Sequence, residues 1–318
     1  MNNDHGAQRP DWIIPELGFE DETERLRAAI AEWIDTTAPA MQKALHHQFL
    51  SGSKYFRPLT MFSVARSIGR GVDQPLIRSA VALELFHNMT LVIDDVLDHS
   101  DARRGKPTMH VAFGELQALM TSGYMTAEAY RMLADDAQGV RLLSELMTRL
   151  GVAEVTQWET RCQPAGVEDW RLLAQEDTGS MFEIAANLAD RTGALRLFGR
   201  YLGILYHACD DVSDVRGTEA LGGGGEEDIR DGILTLPAAI AIRDPSVAAM
   251  FRQPCPENYD LLAESFRAAL PEAEVELDRI AEQARHEANA HSEDPRPLLM
   301  LVDRTRKLGA KSEARDPG

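Results

Sequence analysis

Cysteine is scarce in this chain of 318 residues. Its three cysteines, Cys162, Cys209 and Cys255, lack the paired spacing of a thiolate metal site or a disulfide framework, so reduced thiols in a cytoplasmic protein are the expectation. Basic charge is also in deficit, with 33 Lys and Arg against 51 Asp and Glu and a net charge of −18. That balance argues against general nucleic-acid binding, because a phosphate backbone needs a basic patch. No uncharged apolar run approaches the roughly 18 residues of a bilayer span. The polar, acidic residues 1–15 lack the basic-then-apolar pattern of a signal peptide, and a soluble protein is expected. Neither a long Pro/Ser/Gly linker nor a shift of composition divides the chain. A single domain over 1–318 is therefore expected, with mobile tails at 1–20 and 307–318.

Alternating runs of β-branched residues are few. Apolar residues recur instead at intervals of three and four, which predicts an all-α protein. Helices are expected near 21–50, 56–69, 75–98, 110–135, 138–162, 168–192, 195–215, 229–243, 257–270, 273–291 and 296–307. The breaks carry turn chemistry: Gly52 and Pro58, Gly71 to Pro75, the Arg103-Arg-Gly-Lys-Pro107 turn, Gly151, Pro164-Ala-Gly166, and the glycine run from Gly222 to Gly225.

What the chain does have is a repeated acidic motif. Leu91-Val-Ile-Asp-Asp-Val-Leu-Asp98 carries Asp94, Asp95 and Asp98, and Ala208-Cys-Asp-Asp-Val-Ser-Asp214 carries Asp210, Asp211 and Asp214. On a helix, residues three and four apart share a face, so each trio projects carboxylates to one side. Like charges at that spacing cost a few tenths of a kcal/mol per pair, more where water is scarce, and a cation would offset them. Carboxylate oxygens with room for water and phosphate suit Mg²⁺ better than Zn²⁺. A solvated acidic face is the bland alternative. The apolar run Leu91-Val92-Ile93 beside the first trio, and the recurrence of the pattern, argue against it.

Basic residues flank the first cluster. Arg103 and Arg104 follow Asp98 by five and six residues, and guanidinium groups fork onto phosphates. Lys54 and Arg57, in Gly52-Ser-Lys-Tyr-Phe-Arg-Pro58, sit in a turn that enters a helix, where anions are readily held. His87 lies two helical turns before Asp94 and Asp95, roughly on their face.

Together these residues resemble the trans-isoprenyl diphosphate synthases, the polyprenyl synthetase family that includes farnesyl and geranylgeranyl diphosphate synthases. The Lys54/Arg57 segment resembles the family's Gly-Gly-Lys-x-x-Arg-Pro. Glu84 through Thr108 resembles its first aspartate-rich region, Tyr206 through Asp214 the second, and Asp228-Ile-Arg-Asp-Gly-Ile-Leu-Thr-Leu-Pro237 the segment after it. The likeness runs from about residue 40 to 240. It implies an all-α bundle with a central cavity, in which about three Mg²⁺ ions on the six aspartates bind an allylic diphosphate through oxygen ligands. It also implies that Lys54, Arg57, His87 and Arg104 hold isopentenyl diphosphate. Arg103, Thr178 and His207 would serve the allylic side. Met89 and Thr90, five and four residues before the first Asp, would form part of the cavity floor; a Met there suits a C15 to C20 product. The family is usually homodimeric, which makes a homodimer the expected assembly.

The departures lie on the allylic side. Asp177 stands before Thr178 where the family has Lys, Tyr206-His207 replaces Phe-Gln, Gly223-Gly224 replaces Gly-Lys, and Ile233 replaces a further Lys. No lysine lies between Arg191 and Lys307 to make up the loss. His207 is expected to be neutral, as a helical histidine usually is. Three activities fit: a Mg²⁺-dependent prenyltransferase with an altered allylic site, a class I terpene cyclase that ionises a prenyl diphosphate without a second substrate, and a non-catalytic partner of an active synthase.

Overall fold

The computed structural model describes residues 13–49, 53–103, 105–217 and 225–309. Among these residues the architecture is helical throughout, as the apolar period predicts. The one sheet is a two-stranded antiparallel pair, Ala102–Arg103 against Lys106–Pro107, turned by Gly105 at φ 73°. The chain forms two compact units, Met1–Leu143 and Ser144–Gly318.

In the first unit the helix Gln74–Leu97 packs against Glu20–Thr36, Phe56–Ser67 and Glu115–Met132. Asp73 starts it, accepting a hydrogen bond from the Leu76 amide at 2.9 Å, with Pro75 in the first turn where its missing N–H costs nothing. By length and composition alone this helix could cross a membrane, but Arg78 and Glu84 interrupt it and 72% of its apolar window is buried inside the protein. Leu83, Leu85, Phe86 and Val92 are fully enclosed. Each such side chain contributes about 1.5–3 kcal/mol on burial, which makes this a core helix.

Part of each expected tail is helical. Ile13–Leu17 is a helix with Ile13, Ile14 and Leu17 buried. Phe19 packs on Phe62 at 5.7 Å and under the Arg66 guanidinium at 3.8 Å. Apolar side chains with a place in the core hold residues 13–20. Lys307 and Leu308 end the helix Arg296–Leu308. Residues 1–12 and 310–318 lie outside the described residues.

Several expected helices divide or merge for local reasons. Extended backbone at Thr37, followed by Pro39, splits 21–50. Gly114 at φ 87° separates Met109–Phe113 from Glu115–Met132. Gly232 at φ 63° ends Gly225–Asp231, and Thr235 caps Leu236–Ala241. The opposite occurs in Tyr259–His291, which runs through Pro271. Pro inside a helix costs about 3 kcal/mol. Here Leu262, Phe266, Ala269, Ala273, Leu277 and Ile280 form one buried stripe across it, and that burial outweighs the lost hydrogen bond.

In the second unit Arg196–Arg216 packs against Ser180–Ala189, Tyr259–His291, Arg296–Leu308 and the π-helical turn Gln175–Gly179. Two glycines permit the approach. A Cβ on Gly199 would lie 2.4 Å from the Phe182 carbonyl oxygen, and one on Gly203 would lie 2.7 Å from the Gly179 Cα and 2.8 Å from the Thr178 carbonyl oxygen. Nearby, the fully buried Glu183 meets Arg149 at 3.0 Å and Arg200 at 2.8 Å, and also pairs with Arg196. Burial alone would raise its pKa, but the three guanidiniums outweigh it and hold the carboxyl below its ordinary value.

Candidate active site

The first unit holds one set of site residues. Asp94, Asp95 and Asp98 occupy the C-terminal turn of Gln74–Leu97 and its cap. Asp94 is half-buried, Asp98 exposed and Asp95 only 2% exposed. Arg103, carried by the small hairpin, donates from Nε to Asp95 Oδ1 at 2.8 Å. Burial raises the Asp95 pKa by more than Arg103 lowers it.

Two of the basic residues predicted further upstream, Arg57 and His87, also meet. Tyr55 adopts a left-handed conformation, φ 54°, at the N-terminus of Phe56–Ser67 and brings the chain from Lys54 into that helix. On the helix's first turn the Arg57 Nη1 lies 3.1 Å from His87 Nε2. The Thr90 hydroxyl donates to the His87 carbonyl at 2.9 Å, and Met89 is buried. Arg104 and Gly52 lie outside the described residues.

The second unit holds the other set. Asp210, Asp211 and Asp214 lie along Arg196–Arg216, with Asp211 8% exposed. The indole N–H of Trp170 donates to Asp211 Oδ2 at 2.8 Å, and the Leu236 amide donates to the same oxygen at 2.7 Å. His207 sits between two carboxylates, with Nδ1 3.4 Å from Asp177 Oδ2 and Nε2 3.8 Å from Asp211 Oδ1. Thr178 Oγ1 donates to Asp177 at 2.9 Å and lies 3.0 Å from His207 Nδ1. Burial opposes a charged imidazole, yet Asp211, Asp177 and Asp210 push its pKa up to about 9. Where a neutral histidine was expected, the three carboxylates around His207 favour its charged form. Asp211 itself is raised, because burial exceeds the help from His207, Leu236 and Trp170.

A further carboxylate joins this set. Asp228, on Gly225–Asp231, has its pKa raised well above the ordinary value by burial and then by Asp211, Asp214, Asp210 and Glu227. Burial and the neighbouring carboxylates together disfavour the charged form of Asp228, and a divalent cation would relieve that negative field. All the donors are hard oxygens, so the residues fit Mg²⁺. Among the described residues no three His, Cys, Asp or Glu side chains are gathered closely enough to hold a metal ion by themselves. An open, water-completed arrangement is the one Mg²⁺ tolerates best.

Sequence reading missed Trp170, Asp177 as a hydrogen-bonding partner, and Asp228 as part of the acidic set. Asp228 stood in the quoted segment after the second cluster, and its charge was the available signal. Trp170 gave none, since its indole reaches Asp211 across 41 positions of chain. Of the departures from the family pattern, Gly223 and Gly224 lie outside the described residues.

The polyprenyl synthetase family profile matches residues 38–260. Geranylgeranyl pyrophosphate synthase 4 of Arabidopsis thaliana is 29% identical over 243 residues, 69% of this chain and 65% of that protein, just under two thirds of its length. Nonaprenyl diphosphate synthase of Mycobacterium tuberculosis is 29% identical over 289 residues, 83% of this chain and 86% of that one. The crystal structure of a polyprenyl synthase from Caulobacter crescentus CB15, complexed with calcium and isoprenyl diphosphate, matches with a TM-score of 0.83 at 21% identity, over 95% of this chain and 98% of that one. At that identity the likeness establishes the all-α isoprenoid synthase fold. The chain belongs to the polyprenyl synthetase family.

Proposed function

We propose that this chain is a Mg²⁺-dependent prenyltransferase that condenses isopentenyl diphosphate with an allylic diphosphate to a C15–C20 trans-prenyl diphosphate. The observation that carries the reading is the Arg57–His87 contact at 3.1 Å, with His87 on the helix that ends in the first aspartate cluster. A cyclase, which handles one diphosphate, has no use for a second anion site.

In this reading Lys54, Arg57, His87 and Arg104 hold isopentenyl diphosphate. Asp94, Asp95, Asp98, Asp210, Asp211 and Asp214 hold the metal ions. When bound, Mg²⁺ supplies positive charge to the oxygens of the departing diphosphate. Arg103, 39% exposed, can turn from Asp95 toward the allylic diphosphate. On the other set, Thr178 offers a hydroxyl and His207 a positive charge in place of the missing lysines. The allylic C–O bond breaks with its electron pair going to diphosphate. The double bond of isopentenyl diphosphate attacks the cation, and a proton leaves to the released diphosphate. The protein's contribution is positioning and electrostatic stabilisation.

The chain length rests on Met89, a compliant side chain of intermediate size at the expected floor. The similar proteins include both geranylgeranyl and nonaprenyl synthases, which makes Met89 the discriminating position. Exposed Met147, Val152, Val155 and Trp158 line one side of Ala137–Thr160 and support a homodimer, since an exposed apolar stripe favours a partner surface. A second reading, cyclase chemistry, is favoured by one observation. Asp177 puts a carboxylate where the family resemblance calls for a lysine.

The test is steady-state kinetics of Arg57→Ala. The reading predicts a KM for isopentenyl diphosphate raised about tenfold or more, from the loss of a charge-assisted hydrogen bond, with the allylic KM little changed. Equal loss on both substrates, or none, would remove the isopentenyl diphosphate site from this position.

A further inference from the structure

The middle aspartates of the two clusters are held differently. Asp95 is tied to Arg103, a charged side chain on a small hairpin that is 39% exposed and can exchange partners. Asp211 is tied to neutral donors that cannot leave. One is the indole of Trp170, which is fully buried, and the other is the backbone amide of Leu236, the first residue of its helix. Both donors fall on Oδ2, at 2.8 and 2.7 Å, while Oδ1 is the oxygen on the His207 side, 3.8 Å from Nε2. The two short donors fix Oδ2 and leave Oδ1 turned toward His207.

We infer that Trp170 is a positioning residue for the second aspartate cluster, locking Oδ2 of Asp211 so that Oδ1 faces His207 and an arriving cation–diphosphate. The inference rests on the proposed function. The rigidity has two sources. Trp170 is enclosed within the second unit, and its ring lies 6.2 Å from the His207 ring, so a single residue limits the motion of both Asp211 and its imidazolium neighbour. From Trp170 the contacts continue through Asp211, His207 and Thr178 to Asp177. Hydrogen bonds of this kind, one shell out from a metal, orient the ligand and set its affinity.

The experiment compares wild type with Trp170→Phe, which keeps an aromatic ring but loses the donor, and Trp170→Tyr, which restores a donor on a ring. Mg²⁺ affinity is measured by calorimetry with inorganic pyrophosphate as the probe anion, alongside KM for each substrate and the thermal midpoint without metal. The expected result for Trp170→Phe is Mg²⁺ affinity weakened about tenfold to a hundredfold and a raised allylic KM, with an unchanged KM for isopentenyl diphosphate. Trp170→Tyr should recover part of the loss. Metal affinity equal to wild type in Trp170→Phe, with only the thermal midpoint lowered, would overturn the inference and leave Trp170 a packing residue. Failure of the wild type to bind Mg²⁺ with pyrophosphate would instead overturn the function on which it rests.

Discussion

Stability should fall as pH rises from about 6.5 to 9, and His207 should be the cause. In the folded chain its pKa is pushed up from 6.5 to about 9 by Asp211, Asp177 and Asp210, against the opposing effect of burial. Once the chain unfolds those carboxylates move away and the imidazole returns to its ordinary value. A group whose folded pKa is raised contributes stability that is fully present below the unfolded pKa and is lost as pH climbs through the folded one. The window is therefore 6.5 to 9. At 1.36 kcal/mol per unit the shift corresponds to about 3 kcal/mol as an upper bound. The side chain is 24% exposed, so solvent screening reduces the figure only in part. Cys209, whose thiol burial pushes up to about 12, contributes only above its unfolded value of 9 and leaves the window clear. Urea unfolding without divalent cations, at half-unit steps from pH 6 to 9.5, gives the profile for wild type and His207→Gln. The wild type should lose stability across the window while the variant stays flat. A flat wild-type profile, or an equal slope in the variant, would refute the placement of His207 between ionised carboxylates.

Three other outcomes follow from the geometry. Glu183→Gln leaves Arg149, Arg196 and Arg200, among the described residues, with Glu145 and Glu176 for charge balance, and should cost about 3–5 kcal/mol in denaturant unfolding. A loss below 1 kcal/mol would show that solvent already screens the network. Gly203→Ala sets a Cβ 2.7 Å from Gly179 and should cost about 1–3 kcal/mol while displacing Thr178 from His207, read as a raised allylic KM. Unchanged kinetics would separate the helix contact from the site. Met89→Phe should shorten the product, and an unchanged chain length would exclude Met89 from the cavity floor.

The elements whose signals are local were legible in the sequence. The three-and-four period gave the helices, and the Asp trios lie where that spacing puts them, at the end of Gln74–Leu97 and along Arg196–Arg216. What was not legible depends on contacts distant in sequence. Pro271 reads as a break, and only the buried stripe on both sides of it shows why the helix continues. The apolar content of 75–98 gives no sign of whether protein or lipid covers it. Asp177 reads as a missing lysine, but its pairing with His207 depends on Gly199 and Gly203 bringing two helices together. The surroundings that favour a charged His207 were not legible for the same reason. A histidine's pKa is set by its neighbours in space, and here those are Asp177, from another segment, and Asp211, one turn along its own helix.

The central claim is prenyl transfer to isopentenyl diphosphate, and mass spectrometry of the products tests it most directly. Purified protein with Mg²⁺ is given dimethylallyl, geranyl, farnesyl or geranylgeranyl diphosphate, each with and without isopentenyl diphosphate. The account predicts elongated prenyl diphosphates, C15 to C20, only when isopentenyl diphosphate is present. Hydrocarbons or alcohols formed in its absence, or no turnover of any substrate, would contradict it.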